Sequence, residues 1–149
     1  MEELGLYLVD AGKANEALPL FEEILKRRKL KLGLEKPETL QSMNTLALSY
    51  KELGRLPEAV SLLEESLKHA KASLPTAHPQ IGNTMYLLGD AYLATNRSEE
   101  GETLLRQVLR EQAEGDRPVP RNTLNVLCNF FLGQGRYAEA EVIWRERLR

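Results

Sequence analysis

Four copies of one helix-pair pattern, spaced 42, 42 and 39 residues apart, run down this 149-residue chain. Residues Leu46 to Leu67 repeat Leu4 to Leu25, so that Ala47 falls on Gly5, Gly54 on Gly12 and Ala59 on Ala17, each at an offset of 42. Leu88 to Leu109 forms the third copy, with Gly89 on Ala47 and Tyr92 on Tyr50, and Leu127 to Leu148 forms the fourth. A period of this size belongs to stacked supersecondary units, none of which can bury its apolar side alone. It restricts the chain to a repeat architecture with one continuous core.

Within each copy the apolar residues recur at three- and four-residue steps, the helical period. In the second copy Met43, Leu46, Ala47 and Tyr50 mark one stripe, and Val60, Leu63 and Leu67 a second after the break at Gly54. Gly12, Gly54 and Gly135 supply the left-handed backbone of a short turn, with Asn96 serving the third copy. Helices joined so tightly run antiparallel. Small residues at two fixed places, Gly5/Ala47/Gly89/Cys128 and Ala17/Ala59/Gly101/Ala140, let paired helices approach closely. Pro37, Pro79 and Pro118 each precede the first small residue by 10, as suits a proline in the first helical turn. The shorter last interval is a three-residue deletion between Val108 and Pro118, in a connecting loop.

The small residue, aromatic, Gly turn and Ala at these intervals resemble the tetratricopeptide repeat (TPR), over essentially the whole chain. The helix starts Lys36-Pro37-Glu38-Thr39 and His78-Pro79-Gln80, with the 42-residue period, resemble its kinesin-light-chain subtype. Departures are Leu8 for the aromatic, Gly101 for the Ala and Phe131 for Tyr. The resemblance implies an all-α, right-handed α-solenoid of about four antiparallel helix-turn-helix repeats. As one domain over residues 1–149, these run approximately over 1–36, 37–78, 79–117 and 118–149. It also implies a non-catalytic, protein-binding adaptor or scaffold holding a peptide or protein segment in its concave groove. Members of the subtype occur in motor-cargo adaptors, and similar arrays accompany kinase or nucleotide-binding modules in signalling proteins. A structural self-assembly module and a regulatory segment of a larger protein are therefore the competing readings.

First helices line the concave wall in such stacks. The groove positions in register are then Gln41, Asn83 and Asn122; Asn44, Tyr86 and Asn125; and Leu48, Asp90 and Asn129, with Lys51 the nearby cation. An amide carries both donor and acceptor and can bond an extended peptide backbone of any sequence. Asn is a poor interior helix former on an exposed face, so its recurrence here points to binding.

Other chemistry is missing. The net charge of −2 gives no general attraction for nucleic acid. Lone Cys128 occupies a packing position, and no disulfide, metal or cofactor is implied. His69 and His78 stand without ligand partners, and Gly12-Lys13 lacks the rest of a phosphate loop. An enzyme is not expected. The basic run Lys26-Arg27-Arg28-Lys29 follows Glu22 and Glu23 at helical spacing, as Lys68 follows Glu64, and reads as a solvated face. No apolar run approaches the ~18–20 residues needed to span a bilayer, and the reducing cytoplasm is the default compartment. Met1 falls on Met43, part-way along a first helix. That leaves Leu4 and Leu8 uncovered, and either a longer array or association through the N-terminal edge is expected.

Overall fold

The computed structural model describes residues 1–114 and 121–147. Eight α-helices follow in order: α1 (Glu2–Asp10), α2 (Ala14–Leu32), α3 (Pro37–Glu52), α4 (Leu56–Ser73), α5 (Pro79–Leu93), α6 (Ser98–Glu114), α7 (Arg121–Gly133) and α8 (Tyr137–Arg147). They form four antiparallel pairs stacked as a right-handed α-solenoid. Each second helix packs on the next first helix, and α3 also touches α5, as α5 touches α7.

The local signals place these elements. Pro37 and Pro79 open α3 and α5, while Pro118 and the boundary at 117/118 lie outside the described residues. Gly12, Gly54 and Gly135 take φ of +73°, +73° and +71°. In each of those turns the next N–H donates back to a carbonyl five residues earlier: Lys13 to Leu8, Arg55 to Tyr50 and Arg136 to Phe131, at 2.7–2.8 Å. The third turn is built differently from the expectation placed on Asn96. There the Arg97 N–H donates to the Thr95 hydroxyl at 3.3 Å, so a side chain takes over from the carbonyl.

The small residues sit where the paired helices are closest. Ala17, Ala47 and Ala59 are fully buried, and the Cys128 thiol donates to the Ala140 carbonyl at 3.9 Å, a packing role. A Cβ on Gly5 would lie 2.7 Å from the Phe21 ring, and one on Gly89 2.7 Å from Leu105 Cγ.

Junctions between pairs share one recipe. Phe21 meets Met43 and Leu46, Leu63 meets Leu88, and Leu105 meets Leu124 and Leu127. Burying each such side chain stabilises the stack by about 1.5–3 kcal/mol.

Candidate functional site on the first helices

Helices α3, α5 and α7 carry the amide rows at equivalent heights because the repeat spacing is nearly constant. The first row, Gln41, Asn83 and Asn122, is exposed throughout. In the second row Tyr86 and Asn125 are half-buried, and Tyr86 packs against the apolar clusters on both sides of α5. Leu48 and Asn129 of the third row are exposed, and Asp90 is half-buried.

Asn44 departs from the expected groove role. It is only 4% exposed, donates from Nδ2 to Thr84 Oγ1 at 2.8 Å and accepts from Ser66 Oγ at 2.9 Å. It ties α3 to α4 and α5 and has no face left for a ligand. No local sign of this exists in the sequence, since the decisive neighbours Ser66 and Thr84 lie 22 and 40 residues away. At the next junction the same places hold Tyr86, Val108 and Thr123, and the buried Thr123 hydroxyl has no hydrogen-bond partner among the described residues.

Lys51 and Asp90 form an ion pair between α3 and α5. Asp90 thus has its cation from within the chain, and the surface around Tyr86 carries little net charge. Burial first, and the Asp90 carboxylate second, push the Tyr86 phenol up. This is a largely uncharged surface of amides beside Leu48 and Tyr86.

Charge is concentrated instead where one pair meets the next. Tyr50 donates to Glu22 at 3.0 Å, and Tyr92 donates to Glu64 at 2.5 Å. Arg55, Arg97 and Arg136 lie over the rings of Tyr50, Tyr92 and Phe131 at 4.5, 4.1 and 4.5 Å. Arg97 also bonds Glu64, and Arg136 bonds Glu102, both at 2.7 Å across the junction. Where Phe131 replaces the tyrosine, Arg106 stands in the place of Glu64 and lies 5.2 Å from the ring. The hydroxyl and its acceptor are thus lost together, and a cation over the ring takes their place.

This ladder corrects the helix-surface pairs expected from spacing. Glu22 and Glu64 are taken by Tyr50 and Tyr92, and among the described residues neither pairs with Lys26 or Lys68. Arg27 does bond Glu23 at 2.7 Å, while Arg28 reaches Glu2 and Ser42, and Lys29 reaches Glu65. Most of the basic run is therefore neutralised within the fold.

The Tyr92 contact makes a pH prediction. Burial, followed by the hydrogen bond to Glu64, pushes the phenol from 10.0 up to about 12, with Arg97 opposing and Glu100 adding to the shift. A raised acid contributes stability fully below its unfolded value and loses it as pH rises through the folded one. Urea titrations should show Tyr92→Phe less stable than the parent at pH 8, with the gap closing between about pH 10 and 12. A gap that stays constant across that window would contradict the assignment. Glu64 is held low, chiefly by the Tyr92 hydroxyl, so its share is lost instead as pH falls through its folded value.

His78 is a cap: its Nδ1 accepts from the Gln80 N–H at 3.2 Å at the start of α5. On the opposite side of the stack, two grooves between successive second helices escaped the sequence reading. One, of about 470 Å³, is floored by Leu46 and Tyr50, and its counterpart, of about 490 Å³, by Leu88 and Tyr92. Their floors are junction residues, and the 42-residue alignment of Tyr50 with Tyr92 was the available signal.

Comparison with known proteins agrees with this geometry. One tetratricopeptide-repeat profile matches residues 1–72 and 51–114, and a second matches 86–148. The chain belongs to the tetratricopeptide-repeat family. Two crystal structures of nearly identical TPR-like repeats, from a Podosopora anserina protein assigned as a kinesin light chain, superpose on it at 28% identity. One of them, a point variant, has a TM-score of 0.81 and covers 98% of this chain and 71% of its own; the other has 0.77, 97% and 70%. BtubC (BKLC) from P. vanneervenii shares the fold at 17% identity and TM-score 0.81, over 97% of this chain and 61% of its own. No curated protein matches the chain. The repeats are thus kinesin-light-chain-like, and such repeats are generally protein-interaction modules. Among the described residues no helix is long and apolar enough to cross a membrane.

Proposed function

We propose that the chain is a non-catalytic interaction module that holds an extended peptide or protein segment along α3, α5 and α7. The observation that carries this reading is the exposed row Gln41, Asn83 and Asn122, one amide on each of α3, α5 and α7 at the same height. Amides in a row match a peptide backbone, which offers alternating donors and acceptors. Leu48 and Tyr86 beside the row suit one apolar side chain of the bound segment. With Asp90 already paired to Lys51, the surface selects neither a free carboxylate nor a strongly basic peptide. First helices that touch one another, α3 with α5 and α5 with α7, support their lying on the inner side of the curve.

Panning a displayed random-peptide library against the full chain tests the reading. Selected peptides should lose tenfold or more in affinity, ~1.4 kcal/mol, on the triple change Gln41→Ala, Asn83→Ala and Asn122→Ala. They should be indifferent to Thr103→Ala in the outer groove. The reverse pattern would move the binding surface to the second helices.

A further inference from the structure

We propose that the outer groove between α4 and α6 receives an amphipathic α-helix of another protein, with acidic side chains on the flank of its apolar stripe. Helices α4 and α6 both pack on α5, and Leu88 and Tyr92 of α5 floor the gap between them. Leu67 and Leu104 line its walls and are only half-buried. Every side of the groove is helix, whose own backbone groups are already paired within it. An extended peptide laid on these leucines would leave its N–H and C=O groups without partners, at a cost that a helix avoids by pairing its own. From Glu100 to Gln107 the groove follows α6 for about 10 Å, or two helical turns. That length suits apolar anchors at i, i+3 or i+4, and i+7 of a docked helix.

Charge selects the flank of that helix. In the preceding groove, between α2 and α4, Lys26 and Lys29 line one wall, and Lys29 reaches across to Glu65 at 3.5 Å. Forty-two residues on, Lys68 and Lys71 hold the places of the two lysines, but Gln107 holds that of Glu65. The Gln107 amide is turned along its own helix, donating to Glu111 at 2.7 Å. The bridge across the groove is therefore lost. Lys68 and Lys71, one turn apart on α4, are exposed and have no ion-pair partner among the described residues. At the other end Arg97 bonds both Glu64 and Glu100 at 2.7 Å, while exposed Glu99 repels a carboxylate there. Acidic side chains of the docked helix are thus drawn to the end that holds Lys68 and Lys71, where two unpaired cations await them.

Selection of a displayed helical-hairpin library, randomised along one outward helix face, against the full chain tests the proposal. Selected faces should combine apolar residues at helical spacing with Asp or Glu on one flank. Their affinity should fall about tenfold or more on the double change Lys68→Glu and Lys71→Glu. Exchanging the selected acids for Lys should recover binding to that double variant, which requires direct contact between the two sets of charges. Thr103→Trp fills the groove from an exposed position and should also cost about tenfold or more. All three changes are at exposed sites, and circular dichroism should show unchanged helicity. The triple change at Gln41, Asn83 and Asn122 should leave hairpin binding unaltered, so this proposal and the first-helix reading fail separately. A selection that returns no hairpin sensitive to Thr103→Trp overturns the proposal. So do selected hairpins that bind the double lysine variant as well as the parent, or that carry Lys and Arg on the flank instead.

Discussion

Gly101→Ala is expected to lower the stability of the fold by about 1–2 kcal/mol, although alanine is the residue found at the same place in the other three pairs. Helices α5 and α6 meet through two glycines, Gly89 and Gly101. A Cβ on Gly101 would lie 2.7 Å from the Gly89 carbonyl oxygen and 2.9 Å from the Leu93 backbone nitrogen. Neither atom can swing aside as a side-chain tip could, so the helices must separate and disturb the packing of Leu105 beneath them. Overpacking of this kind costs up to about 3 kcal/mol, against a gain of about 1 kcal/mol from replacing a helical glycine. The balance is a net loss. Denaturant unfolding gives the value directly, and an unchanged or raised midpoint would show that the pair accepts the methyl group by a small shift.

Asn44→Ala should cost about 1–3 kcal/mol, whereas Asn83→Ala should stay within about 0.5 kcal/mol. The two asparagines are helical surface residues of adjacent repeats by sequence pattern alone, yet their surroundings differ. Removing the Asn44 amide strands the buried Ser66 hydroxyl and takes away the donor to Thr84, in a region closed to water. Asn83 is exposed, and its replacement leaves solvent in its place. Equal effects of the two substitutions would mean that the Asn44 network contributes nothing net to the stack.

That contrast marks how far the sequence could be read. Features decided within one helix pair were legible: the turn glycines, the prolines opening α3 and α5, and the small residues at the helix contact each act through near neighbours. Features decided between pairs were not. Whether Asn44 is buried depends on Ser66 and Thr84, and whether Glu22 and Glu64 serve their own helix depends on Tyr50 and Tyr92, 28 residues away in each case. Helical spacing proposes Lys26 and Lys68 as their partners. At Tyr92, which is buried, the hydrogen bond to Glu64 is stronger than an exposed ion pair, and half-buried Tyr50 holds Glu22 in the same geometry. The turn at Asn96 is hydrogen-bonded differently from the others for a related reason. Tolerance of left-handed backbone was the property considered, but the Thr95 hydroxyl beside it supplies the bond that closes the turn.

The candidate surface followed the same division. Repeat spacing located the exposed row on α3, α5 and α7 and the third-row positions, because equivalence by register survives stacking. It could not assign Asp90 to Lys51, since that pair spans two repeats.

Amide hydrogen exchange of the full chain, free and saturated with a library-selected peptide, tests most directly whether the first helices hold the bound segment. Protection should appear along α3, α5 and α7, centred on the segments containing Gln41, Asn83 and Asn122, with α4 and α6 unchanged. Protection confined to α4 and α6, over the grooves floored by Leu46 and Leu88, would contradict it.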